Sequence, residues 1–330
     1  MKVAISTIPT SIAAVREIAD AVERSGVERL GIADSPHLLG AAYPAVQDAL
    51  ARTRITMVGP FVTNPVTVHS SVHAANLRAL AEMHPGRVAV AIGVGDSAVT
   101  SVGLAVARRS ELAAAITAMR TRLGDDVEIE MAVSGPLTAS SVPPDVDGVI
   151  LGSGLSVPYA RKLREIAENS AGKKLSSRVV LVSHLINDSG DFDSARRSVL
   201  ASAFAYARHG IGRDGARRDV PEALQPSLDA VIEQYRMGEH ARVSGGNAQL
   251  LERHPDVADY LVDRFAIVGA PAQIAQRLAD FCRDAGIDGV SLSVNVPDPL
   301  GQVEHIGREL VPELNNILHA LEHETARRSP

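Results

Sequence analysis

The feature that most constrains this chain is a rhythm of short apolar runs, each cut off by glycine or proline and followed by an amphipathic stretch. Residues 55–97 show it most clearly: ITMVGPFVTNPVTVHSSVHAANLRALAEMHPGRVAVAIGVGDS. The apolar runs 55–58 and 88–92 end in Gly59-Pro60 and Gly93-Val94-Gly95, and residues 67–83 between them have helical spacing. Strand, turn, helix, strand, turn is connected by default through a right-handed parallel crossover. Both glycine turns then fall at the carboxyl ends of neighbouring strands. Ligands bind there in α/β folds, because side chains and free backbone amides converge on one rim.

The same unit recurs. Strands are expected at 3–6, 29–33, 55–58, 88–92, 127–133, 148–151, 178–182 and 289–294. Helices are expected near 11–24, 43–52, 67–83, 105–123, 156–169, 272–285 and 304–323. After residue 182 the rhythm breaks: 191–208 and 228–265 read as helical, and 209–226 is rich in Gly, Arg and Asp. Eight βα units over about 250 residues or more predict a (β/α)8 TIM barrel. The expected organisation is one barrel domain over 1–330, with a mostly helical insertion at 188–268 between strands seven and eight. No GxGxxG fingerprint follows the first strand, which weighs against a doubly wound open sheet.

Composition removes several function classes. The net charge of -6 argues against a sequence-independent nucleic-acid binder, which needs a basic face. The single cysteine, Cys282, allows no intrachain disulfide. No apolar run reaches the roughly 18–20 residues of a membrane span. The start, MKVAISTIPT, lacks the pattern of a signal peptide, so a cytoplasmic protein is expected. With no tryptophan and 3% aromatics, a base-stacking platform is not expected. His69 and His73 have a zinc-compatible spacing, but no Glu or Cys nearby completes a set, and no metal is expected.

Several motifs, in order, resemble the luciferase-like flavin and deazaflavin oxidoreductases. They are Val62-Thr63-Asn64-Pro65 after strand three; His84-Pro85-Gly86-Arg87 before strand four; and Gly93-Val94-Gly95-Asp96-Ser97 after it. Further along stand Ser134-Gly135-Pro136 with Asp147-Gly148-Val149-Ile150, and Gly269-Ala270-Pro271 with Asp284-Ala285-Gly286-Ile287-Asp288. The resemblance covers nearly the whole chain and sits nearest the reductase branch, which includes enzymes using coenzyme F420. It implies hydride transfer between F420 and a small organic substrate, in a homodimer that needs no membrane or nucleic acid. The alternatives are a reduced-FMN-dependent monooxygenase, and a barrel that has lost its cofactor and acts as a binding protein.

The resemblance also implies roles for residues. A bulge with a non-prolyl cis peptide is expected at Phe61–Val62, so that Phe61, Val62, Thr63 and Asn64 support the cofactor ring. The family usually has a small residue where Phe61 stands; Phe61 either turns into the core or narrows the slot. Gly93, Gly95, Asp96 and Ser97 suit a ribityl chain or phosphate, as do Gly152, Ser153 and Gly154 at a helix start. Ser134 and Gly135 belong to the same rim. Asp34 is the best match for the acid/base beside the reactive centre, with His37 and His184 as further catalytic candidates. His69 matches a rim position of the family, although the usual preceding Arg is Val68 here. Arg213, Arg217 and Arg218, in the insertion, are candidates for an anionic substrate or the acidic tail of the deazaflavin cofactor. The links before and after strand five are short for the family, which implies a trimmed cofactor pocket.

Overall fold

The computed structural model describes residues 1–38, 40–187, 190–212, 218–240 and 242–328. Arg213 and Arg217, two of the expected anion-binding arginines, lie outside the described residues, as does Asp188 at the expected start of the insertion. The strands are β1 (Lys2–Thr7), β2 (Arg29–Ile32), β3 (Met57–Pro60), β4 (Val88–Ile92), β5 (Val127–Val133), β6 (Gly148–Leu151), β7 (Ser176–Leu185), β8 (Ala266–Gly269) and β9 (Gly289–Ser293). β1 to β7 pair in sequence order, β7 pairs with β9, and β9 pairs with β1, all in parallel. Eight strands therefore close into a barrel with helices between them, a (β/α)8 TIM barrel.

Three strands differ from the expectation. β8 is absent from it: residues up to 265 read as helix running into Gly269. The structure inserts a four-residue strand that pairs only with the end of β7, from Val182↔Ala266 to Leu185↔Gly269. β7 is longer than expected for the same reason. Its residues Arg178–Val182 pair with β9 inside the barrel, Ser176 and Ser177 pair with β6, and Val182–Leu185 carry β8 beyond the rim. β3 begins two residues later than its apolar run suggests. The backbone N–H groups of Arg54, Ile55 and Thr56 donate to the Glu23 carboxylate, which holds that segment as a turn and leaves Ile55 73% exposed.

Strand alternation sorts the side chains into two populations. Ile5, Leu30, Ile32, Val58, Val90, Ile92, Ile129, Met131, Val149, Leu151, Val179, Leu181 and Leu292 face outward and share one apolar cluster with the surrounding helices. The alternate positions face the barrel axis and are small near the carboxyl rim: Ser6, Ala33, Gly93, Ala132, Gly152 and Ser293. The helices between β7 and β8, among them Phe192–Gly210 and Pro255–Phe265, build a second apolar cluster around Phe204, Leu261 and Phe265. Among the described residues no helix is long and apolar enough to cross a membrane.

Two residues below the small rim layer, the barrel axis is charged. Glu130 of β5 is 1% exposed. Its Oε2 accepts from Arg29 Nη1 at 2.8 Å and its Oε1 from Arg178 Nη2, while Arg29 Nη2 lies 2.6 Å from Glu128 Oε2. Three strands are thus tied across the axis by ions with little access to water. Removing one partner of such a cluster strands the other charges in a poorly solvated site. Glu130→Ala is expected to lower the free energy of unfolding by about 3–5 kcal/mol, read from urea denaturation at pH 7. Glu130→Gln, which keeps one acceptor and the shape, is expected to cost less.

Candidate active site at the carboxyl rim

The carboxyl ends of the strands surround a cavity of about 300 Å³, open on one side. Of the residues expected to form a site, Asp34, Phe61, Val62, Thr63, Gly93, Gly95, Asp96, Ser97, Ser134 and Gly152 line it. Small inward residues leave the space, and the apolar Ile150 of β6 and Val180 of β7 line it from below the rim.

The exit of β3 forms one wall. The Phe61–Val62 peptide bond is cis, at the position the resemblance implies. Thr63 then rejoins the sheet: its N–H donates to Ala91 O at 2.8 Å, and its carbonyl accepts from Gly93 N–H at 2.9 Å. Phe61 turns into the barrel mouth. A Cβ on Gly31 would stand 2.6 Å from the Phe61 Cβ, so glycine on β2 is what lets the ring lie there. Asn64 does not line the cavity. Its Oδ1 accepts from Val66 N–H at 3.0 Å and Thr67 N–H at 2.9 Å, which makes it the brace of the following turn. Gly95, at φ +86°, packs directly on Asn64, so a side chain there is excluded by conformation and by space.

Asp34, 5% exposed, ends β2 at the bottom of this wall. Thr63 Oγ1–H donates to its Oδ2 at 2.5 Å. Behind Thr63 stands His73, fully buried, whose Nε2 lies 2.9 Å from Asn64 O and 3.3 Å from Thr63 Oγ1. His73 Nδ1 is 2.7 Å from the Tyr43 hydroxyl. Burial drives the imidazole below its ordinary pKa, against the Asn64 carbonyl and the Asp34 charge, so His73 is neutral at pH 7. Burial and Asp34 push the Tyr43 phenol well above its usual range. His69 sits four residues earlier as the exposed cap of helix Ser70–Met83, its Nδ1 accepting from Ser71 N–H. Among the described residues no group of three or more His, Cys, Asp or Glu is placed to hold a metal ion.

The exit of β4 is tied to the helix Phe192–Gly210. Asp96 pairs with Arg208 and lies 3.0 Å from His209 Nδ1. Burial opposes the Asp96 charge, but the hydrogen bonds from His209 and Arg208 more than offset it and hold the carboxyl far below the usual range. Arg208 stacks over Tyr235, whose hydroxyl lies 2.5 Å from His240 Nδ1. His209 and His240 both line the cavity. Ser97 Oγ meets Ser35 Oγ at 3.3 Å, linking the exits of β2 and β4.

The turn after β6 is only partly open. Gly152 lines the cavity, but Ser153 and Gly154 are buried beneath Arg264, whose Nε donates to Ser153 O at 3.0 Å. The helix start at Ser156 is capped by its own hydroxyl and bonded to the Asp219 carboxylate. Gly135 lies under Arg218, which donates to the carbonyls of Ser134, His209 and Gly210. Neither remaining catalytic candidate lines the cavity. His37 stands exposed in the turn that follows Ser35. His184 leaves the barrel with the end of β7 and meets Ser198 Oγ at 2.6 Å.

The whole architecture has relatives. No family model matches the chain. The 5,10-methylenetetrahydromethanopterin reductase of Archaeoglobus fulgidus is 23% identical over 299 residues, covering 80% of this chain and 84% of that protein. The coenzyme F420-dependent tetrahydromethanopterin reductase of Methanopyrus kandleri superposes with a TM-score of 0.73 at 17% identity, over 95% of this chain and 99% of that one. An F420-dependent secondary alcohol dehydrogenase gives 0.69 at 16%, over 95% and 98%, and the long-chain alkane monooxygenase 0.64 at 13%, over 96% and 91%. The chain shares the fold of these enzymes.

In this barrel the wall opposite Asp34 comes from the helix Phe192–Gly210 and the loop after β9: Ser202, Tyr206, His209 and Asn295, with His240 beside them. Burial pushes the Tyr206 phenol up to about 12, against a hydrogen bond with Ser293, so it stays protonated and able to donate. None of these residues was expected from the sequence. Their signal is faint: one polar face in the alanine-rich run 200–207 of a segment with no strand to fix its direction.

Burial, and then His209, push the His240 imidazole down to about 4, against the pull of Asp96. Its folded pKa thus lies below the ordinary value near 6.5, and the unfolded chain takes up the proton first as the pH falls. Stability present above pH ~6.5 is therefore lost progressively down to about pH 4. Urea denaturation across that window is expected to show a shallower fall in His240→Gln than in the wild type.

Proposed function

We propose that this chain is an oxidoreductase that binds coenzyme F420 in the rim cavity and transfers a hydride between it and a small organic substrate. The observation that carries the reading is the convergence of Asp34, the Phe61–Thr63 turn and the Gly93–Ser97 turn on one cavity. The names of the superposable reductases and alcohol dehydrogenase support the cofactor. When bound, a deazaflavin supplies the hydride acceptor or donor; the protein supplies orientation and proton management.

The residues present fit such a group at its ring end. The cavity is walled by Phe61 and Val62 on one side and by the glycine backbone of the β4 exit on another, which leaves a slot for a flat ring. Asp34 then takes or gives the proton at the substrate oxygen or the ring, and Tyr206 donates a hydrogen bond from the opposite wall. The tail fits less well at the expected place, since Ser153 and Gly154 are covered. We place the phosphate end along Ser134 and Gly152, where Arg218 brings a cation close to the rim. The helices between β7 and β8 act in this reading as an insertion that covers the cleft, and the Asp96–Arg208 pair holds them to it. The finer expectations of a homodimer and a cytoplasmic setting go with the proposal, supported by the resemblance of the sequence.

Cofactor fluorescence reports binding without interference, because the chain has no tryptophan. Titration with F420 and with FMN, each oxidised and reduced, is expected to give micromolar or tighter binding for F420 and at least tenfold weaker binding for FMN. Preference for reduced FMN contradicts the proposal and points to the monooxygenase reading. Binding of neither leaves the binding-protein reading. With F420 and a panel of secondary alcohols, Asp34→Asn is expected to keep cofactor affinity and to lose about 10²–10⁴ in turnover, the usual range for general acid–base catalysis.

A further inference from the structure

Behind Asp34 the polar groups form a line with one polarity. Asn64 O is a carbonyl and can only accept, so the hydrogen of the neutral His73 ring belongs on Nε2, 2.9 Å away. His73 Nδ1 is then a bare acceptor, and the Tyr43 hydroxyl at 2.7 Å must donate to it. The same Nε2–H is shared with Thr63 Oγ1 at 3.3 Å, and Thr63 in turn donates to Asp34 Oδ2 at 2.5 Å. The hydrogens of Tyr43 and Thr63 therefore point along the line toward Asp34, and the Nε2 hydrogen, held chiefly by Asn64 O, has Thr63 Oγ1 as its second acceptor. The inner members are sealed: Thr63 and His73 are each 0% exposed. Tyr43, in the first turn of helix Ala42–Arg52, is only partly buried. The line runs from the flank of the barrel to the floor of the cavity without passing through the cavity mouth.

We propose that Tyr43, His73 and Thr63 are a proton relay that supplies Asp34 from outside while the cavity is filled. The proposal rests on the reading of Asp34 as the group that moves a proton. A ligand that fills the cavity cuts Asp34 off from water on that side, and a proton given to substrate must be replaced from elsewhere. In one passage solvent gives a proton to Tyr43 Oη, and Tyr43 gives its own to His73 Nδ1. His73 gives its Nε2 hydrogen to Thr63 Oγ1, and Thr63 gives its hydrogen to Asp34 Oδ2. The net change is one proton from solvent to the Asp34 carboxylate, with no electrons transferred. Between turnovers the two hydroxyls and the imidazole reorient to restore the starting polarity. Tyr43, His73 and Thr63 act through Asp34 and are positioning residues, not catalytic ones.

The test follows the His73 Nε2 hydrogen by ¹⁵N-resolved NMR in the full-length apo-protein, through its exchange with solvent. In the relay that hydrogen is released when a proton arrives on Nδ1 from Tyr43, and it leaves through Thr63. Tyr43→Phe removes a single oxygen and is expected to slow exchange at least tenfold. Thr63→Val removes the group that takes the hydrogen and is expected to slow exchange as well. A merely structural role for Tyr43 predicts the opposite sign, since a looser fold exchanges faster. The proposal is overturned if either variant leaves exchange unchanged or speeds it, or if the ring carries its hydrogen on Nδ1. Repeating the measurement with F420 bound is expected to leave the wild-type rate unchanged. Failure of F420 to bind sinks the cofactor reading alone, because the apo-protein comparison of the two variants still decides the relay.

Discussion

The site exists because the inward positions of the barrel are filled unevenly. A TIM barrel of this size is ordinarily packed along its axis by layers of branched side chains. Here the rim layer carries Ser6, Ala33, Gly93, Ala132, Gly152 and Ser293, too small to meet across the axis. The layer below carries Arg29, Glu130 and Arg178, long enough to meet and paired when they do. The rim is therefore left hollow, Ile150 and Val180 line the cavity beneath it, and ions cross the axis farther down. Apolar residues in the lower layer would close it as well; large residues in the upper layer would abolish the cavity.

The turns around that hollow are held from behind. Asn64 braces the exit of β3 and supports Gly95 at the exit of β4, so two walls share one residue that touches neither the cavity nor solvent. Asp96 carries the same wall outward to Arg208 and His209, and through them to Tyr235 and His240. The helices between β7 and β8 thus do two things at once. They supply Tyr206, His209 and His240 to the cavity, and they cover Ser153 and Gly154 at its far end.

The barrel strands were legible because each is buried on its outer face, and several, such as β3, β4 and β6, stop at glycine or proline, which gives a short apolar run with a sharp end. The cis bond at Phe61–Val62 and the place of Asp34 were legible only through the resemblance of the surrounding motifs. What was not legible depends on which way a residue faces. Glu128 and Glu130 alternate with apolar residues in β5 and look like a solvated face; the closed barrel turns that face inward. His73 looks like one more polar residue on an amphipathic helix until β3 packs against it. His184 stands at the end of a strand whose barrel pairing stops at Val182, so the local pattern points to the rim while the chain has already left it. β8, with only four residues after a helix, carries too little pattern to be seen.

We propose that the hollow upper half of the barrel holds the cofactor ring with its reactive face toward Asp34. A crystal structure of the protein grown with F420 tests it most directly. The account predicts density for the ring inside the barrel mouth, against Phe61 and Val62, with Asp34 within hydrogen-bonding reach of the ring or of the space beside it. A ring bound outside the rim, or a cavity closed by Phe61 with F420 absent at saturating concentration, contradicts it.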